Sequence, residues 1–128
     1  MTNEIRKTFS TLKPAQGRKG QIEFDILLSN YDGQGRALLI EAKPHADVGS
    51  IRIAIGQLFD YRRFLSCREV TDLCLLTIRP PADSYQELLL DLEITALWFE
   101  QEDCKSMQGI GKAWAALRER MISPSAKR

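Results

Sequence analysis

Apolar and polar residues alternate along residues 21–29. Ile22, Phe24, Ile26 and Leu28 fall on one face and Glu23, Asp25 and Leu27 on the other, as a β-strand requires. The same two-residue period returns over residues 36–43, with Leu38, Ile40 and Ala42 facing one way and Ala37, Leu39, Glu41 and Lys43 the other. Between the two runs stands NYDGQG, residues 30–35, whose Asn, Asp and Gly tolerate the positive φ angles a hairpin needs. Pro44 stops the second strand. The period then changes: Ile51, Ile55, Leu58 and Leu65 form an apolar stripe that predicts a helix over residues 50–66. VTDLCLLTI, residues 70–78, is strongly apolar and predicts a strand in the middle of a sheet. Two prolines break it. A short helix is expected over 84–92, N-capped by Asp83 or Ser84, then a last strand over 95–100 (TALWFE). The final helix is expected over 110–121, with Trp114, Leu117 and Met121 on one stripe.

Before these elements, Ile5, Lys7, Phe9 and Thr11 alternate with Arg6, Thr8 and Ser10, which allows a first strand. Residues 13–20 (KPAQGRKG) read as a basic turn or loop, either solvated or contacting phosphate. The pattern as a whole predicts one α/β domain over residues 1–128, a mixed central β-sheet flanked by helices.

Composition changes this picture little. The 128 residues are 44% hydrophobic, enough for one modest core, and a net charge of +1 announces no nucleic-acid partner. Such a partner would need a local cluster, for which Arg18, Lys19, Arg52, Arg62, Arg63 and Arg68 are candidates; the bland alternative is a solvated face. Cys67, Cys74 and Cys104 lack CxxC spacing and are odd in number, which argues for reduced thiols in the cytoplasm, not a disulfide frame or a zinc site. Cys74, Trp98 and Trp114 read as core. No apolar run approaches the roughly 20 residues that span a bilayer, and no secretory leader is legible, so a soluble cytoplasmic protein without a membrane partner is expected.

The chemistry concentrates in residues 22–61. An unpaired buried ion is costly, so Asp25, Glu41 and Lys43 in otherwise apolar strands ask for a use. Glu41 and Lys43 share a face because the period is two, and antiparallel pairing through the short turn brings Asp25 near them. Mg²⁺ takes oxygen ligands, commonly one or two carboxylates with waters and a substrate phosphate. Asp25 and Glu41 supply such a pair, the carbonyl of Ala42 a further ligand, and Lys43 a charge to orient water or stabilise the transition state. The plain alternative is a surface ion pair between Glu41 and Lys43. His45 stands two positions past Lys43, where it would either touch phosphate or face solvent.

Asp25, then Glu41-Ala42-Lys43 sixteen positions later, then Gln57 and Tyr61 four apart on a helix, resembles the PD-(D/E)XK (restriction-endonuclease-like) nuclease superfamily. The resemblance implies a mixed sheet flanked by helices, a metal held by Asp25 and Glu41, and a catalytic Lys43. It also implies a Gln57 beside the site and a Tyr61 approaching substrate. Phe24 stands where the family name carries Pro, and the acidic residue many members place upstream has Glu4 or Glu23 as its candidates. The expected activity is Mg²⁺-dependent hydrolysis of DNA phosphodiesters, with Mn²⁺ able to substitute, in a defence, restriction, repair or mobile-element setting. Arg18, Lys19, Arg62 and Arg63 would contact the DNA. A chain this small would embrace a duplex as a homodimer or with a partner subunit. The rivals are a non-catalytic nucleic-acid-binding or assembly module on the same scaffold, and an unrelated α/β domain with charges on an open sheet face.

Overall fold

The computed structural model describes residues 15–19, 22–100 and 106–122, with side chains over 26–100 and 106–120. Its strands are β1 (Ala15–Lys19), β2 (Ile22–Leu28), β3 (Ala37–Lys43), β4 (Thr71–Thr77), β5 (Ile94–Phe99) and β6 (Met107–Ile110). The helices are α1 (Val48–Arg63), α2 (Asp83–Asp91) and α3 (Trp114–Ile122). The strands form one sheet in chain order. β3, β4 and β5 run parallel, while β1–β2, β2–β3 and β5–β6 are antiparallel, so the sheet is mixed and the fold is α/β.

Two core layers follow from the period-two pattern. Leu39 of β3 and Leu73 and Leu75 of β4 pack beneath Ile51, Ala54 and Leu58 of α1 and Leu89 of α2. Leu38, Ile40, Cys74 and Leu76 face the other way, toward Leu117 of α3. Both β-α-β crossovers step across the sheet in the same direction, and a common handedness therefore puts α1 and α2 on the same face. β4 is buried at every position, as its strongly apolar run predicts for a strand with a parallel neighbour on each side.

The hairpin and the central strand stand where the pattern puts them. The turn between β2 and β3 uses positive φ at Asn30 (52°), Gly33 (75°) and Gly35 (89°), and the Asn30 carboxamide accepts from the Gly35 amide at 2.6 Å. Trp98 and Trp114 pack against the core and Cys74 is fully buried. Burial pushes the Cys74 thiol pKa up.

Elsewhere the structure corrects the pattern. Residues 15–19, expected in a loop, form edge strand β1 against β2, because ladder hydrogen bonds override the weak propensity of AQGRK. The strand over 94–99 is not the last: Met107–Ile110 adds β6 beyond it, so Ile110 is a strand residue and α3 starts at Trp114. Four residues show no readable period. Gly109 permits this packing, since a Cβ there would fall 2.8 Å from the Ala96 carbonyl oxygen and 2.6 Å from a Leu97 methyl. Neither Asp83 nor Ser84 caps α2; its N-cap is Ala82, with no side-chain hydrogen bond. The strand allowed before residue 12 lies outside the described residues, as does Glu4. Among the described residues no helix is long and apolar enough to cross a membrane.

One charged cluster ties the sheet together at the start of β4. Asp72 is 8% exposed and accepts hydrogen bonds from Tyr31 Oη (2.6 Å), Arg36 Nε and Nη2 (both 2.9 Å) and Lys112 Nζ (3.2 Å). It thereby joins the β2–β3 turn and the segment before α3 to the central strand. Burial alone would raise the Asp72 pKa, but the donors from Arg36, Tyr31 and Lys112 outweigh it and hold it down at about 2. Burial and the hydrogen bond to Asp72 in turn raise the Tyr31 pKa.

Because the folded pKa of Asp72 lies below its unfolded value, its stabilisation is complete above the unfolded pKa near 4 and fades as pH falls toward 2. Urea unfolding of the wild type should lose about 1–2 kcal/mol over that window through this group. Asp72→Asn should flatten that part of the profile and cost about 2 kcal/mol at neutral pH by leaving Arg36 and Lys112 unpaired.

Candidate functional site

The local sequence places the candidate residues on the α1 side of the sheet. The β2–β3 register sets Ile26 against Ile40 and Leu27 against Leu39; one further step in the same register would bring Asp25 opposite Glu41. The Asp25 side chain lies outside the described ones; its backbone place in β2 is described. Glu41 follows Leu39 by two positions and therefore shares the face on which α1 packs. Pro44 ends β3, and three residues later Asp47 caps α1. One Asp47 oxygen accepts from the Ser50 amide at 3.2 Å and the other from the Ser50 hydroxyl at 2.7 Å, holding its pKa down. This short connection returns α1 directly over β3.

Glu41 is 6% exposed, and Lys43 Nζ lies 3.4 Å from its Oε2. The pair is part-buried, with side-chain exposures of 8% for Glu41 and 21% for Lys43, and is not the exposed surface pair that the plain alternative supposes. On α1, the Gln57 carboxamide Nε2 donates to the Tyr61 hydroxyl at 3.1 Å, as side chains four apart on a helix are placed to do. Gln57 Oε1 is buried and has no hydrogen-bond partner among the described residues. A buried acceptor without a donor costs about 1–3 kcal/mol, so it marks a place where the chain keeps polarity that the fold does not use. Thus the structure joins Glu41 with Lys43 and Gln57 with Tyr61.

Other expected residues fall elsewhere. His45 is exposed in the β3–α1 connection. Arg18 and Lys19 belong to β1, with side chains outside the described ones. Arg62 and Arg63 lie in the last turn of α1, where Arg62 Nη1 donates to the Thr71 carbonyl at 3.4 Å. Thr71 opens β4, so these arginines stand at the opposite end of the parallel strands from Lys43. Arg63 pairs with Asp60 at 2.9 Å.

Glu41 offers carboxylate oxygens, a donor type that suits Mg²⁺ or Mn²⁺ better than a softer metal. Among the described residues no group of three His, Cys, Asp or Glu converges, so this centre has two carboxylates at most from that part of the chain. Comparisons with protein-family models, curated proteins and solved structures found no match.

Sequence reasoning passed over Asp72, although the argument that singled out Asp25 and Glu41 applied to it equally. It is the one acidic residue in VTDLCLLTI. Tyr31, Arg36 and Lys112 had no local pattern, since they meet Asp72 from 36 to 41 positions away.

If Gln57 is kept for chemistry, its removal should cost the fold little. Gln57→Leu is expected to change unfolding free energy by no more than about 1 kcal/mol, because the lost bond to Tyr61 is offset by removing an orphaned acceptor. A loss well beyond that in urea titrations would make Gln57 a structural residue.

Proposed function

We propose that this protein is a Mg²⁺-dependent nuclease of the PD-(D/E)XK type, with a restriction-endonuclease-like core, that hydrolyses DNA phosphodiester bonds. The observation that carries this reading is the buried Glu41 with Lys43 Nζ 3.4 Å from its carboxylate; carried one residue beyond Ile26–Ile40, the β2–β3 register would set Asp25 opposite that Glu41. Further support comes from the helix that packs over the same face and bears Gln57 and Tyr61.

In this reading Asp25, Glu41 and the Ala42 carbonyl hold the cation. The cation, when bound, supplies positive charge at the phosphate and an acidified water. Lys43 is held near the carboxylates by Glu41 and offers its ammonium to the attacking water or to charge developing on the phosphate. Gln57 Oε1 accepts a hydrogen bond from water or substrate entering the site, which would satisfy the atom the folded chain leaves alone. Tyr61 fixes the Gln57 carboxamide through their 3.1 Å contact. A second copy or a partner subunit would supply the rest of the surface a duplex needs.

Incubation with single-stranded, duplex and nicked DNA in Mg²⁺ or Mn²⁺ tests the proposal. Cleavage should disappear with EDTA and fall by about a hundredfold or more in Asp25→Ala, Glu41→Ala and Lys43→Ala, each confirmed as folded by circular dichroism. Gln57→Leu should be slowed while staying as stable as the wild type. Cleavage that persists in Lys43→Ala would refute the assignment.

A further inference from the structure

A second polar centre lies at the far end of the parallel strands. A cavity of about 280 Å³ opens there, lined by Arg36, Arg62, Arg68 and Lys112 together with Phe59 and Asp72. Arg36 precedes β3 and Asp72 stands at the start of β4, whereas Lys43 ends β3. With about 3.3 Å per strand residue, Asp72 in the cavity lining lies about 10 Å along the strands from the level of Glu41 and about 17 Å from that of Lys43. It is a separate place.

The charges there are unequally satisfied. Asp72 is spent on Tyr31, Arg36 and Lys112, and the two cations leave one positive charge over. Arg62 and Arg68 form no ion pair among the described residues. Among the described residues each donates a single long 3.4 Å bond, Arg62 to the Thr71 carbonyl and Arg68 to the Leu65 carbonyl. Most of the five donors of each guanidinium therefore stay available to an anion. Glu69 and Glu93 also line the cavity, but both are exposed and can turn to solvent.

The apolar part of the lining narrows the ligand. Phe59 is 37% exposed, and the Arg62 guanidinium lies 5.1 Å from its ring centroid. An exposed aromatic ring stacked with arginine is a platform on which a nucleobase can lie. The volume falls just under the range of about 300–1,000 Å³ usual for small-molecule sites, so it takes a phosphate and sugar and leaves the base at the mouth, beside Phe59.

We propose that this cavity binds a nucleotide unit, its phosphate on Arg62 and Arg68 and its base on Phe59. Two sources share that chemistry, a free nucleotide and the end of an unpaired strand. The site does not depend on the nuclease reading.

Calorimetric titration of the full chain in EDTA, where no cleavage can occur, separates these cases with three probes: inorganic phosphate, adenosine 5′-monophosphate and a 5′-phosphorylated oligothymidylate. The nucleotide should bind about fivefold or more tightly than phosphate, the margin that base stacking supplies. Phe59→Leu, which keeps apolar bulk, should erase that margin and leave phosphate binding as it was. Arg68→Gln, at an exposed position, should weaken all three probes and flatten their salt dependence. The tighter of nucleotide and oligonucleotide identifies the source. Failure of all three to bind at millimolar concentration would overturn the proposal. So would equal affinity for phosphate and nucleotide, or binding indifferent to Arg68→Gln in a variant that unfolds like the wild type. None of these results bears on cleavage by Asp25, Glu41 and Lys43.

Discussion

Strand β3 hydrogen-bonds to β2 on one side and to β4 on the other, and its two-residue period governs where charge can stand in the sheet. Leu38 and Ile40 fill one core layer and Leu39 the other, so Glu41 and Lys43 must emerge on the face that α1 covers. A slip of one residue would send both into the layer beneath α3. Register is therefore strongly specified here: the apolar pattern that builds the core also assembles the charged centre. The Asp47 cap acts on the same arrangement, since it starts α1 within four residues of Lys43 and returns the helix across β3.

What could be read from the chain followed the reach of local rules. The β2–β3 hairpin was legible because alternation, turn residues and a stopping proline agree over residues 22–44. From that alone came the shared face of Glu41 and Lys43. β1 and β6 were not legible, because edge strands of five and four residues owe their conformation to a neighbour's free ladder and carry no period of their own. The Asp72 cluster was hidden for a related reason. Its partners come from the β2–β3 turn and from the approach to α3, so no window of sequence contains them, and only the closed sheet places them together.

The two charged centres differ in how fully they are satisfied, and that difference bears on what each does. Asp72 accepts four hydrogen bonds, as many as a carboxylate has lone-pair positions for, and its low pKa is the electrostatic expression of that completeness. Such a group has no capacity left for a ligand and acts as a brace. Beneath α1 the accounts are open: Gln57 Oε1 is buried with no donor, close along the chain to a tyrosine that holds its other end. A half-satisfied polar group is worse for stability than an apolar side chain of the same shape, so the folded chain alone gives no reason for it. Arg62, half-buried, and Arg68, exposed, each make a long bond to a carbonyl beside the completed Asp72 cluster, and water reaches their other donors. Where polar valence is spent inside the chain, it holds the sheet together; at Gln57, where a buried acceptor finds no donor among the described residues, the proposed reading supplies one from water or substrate.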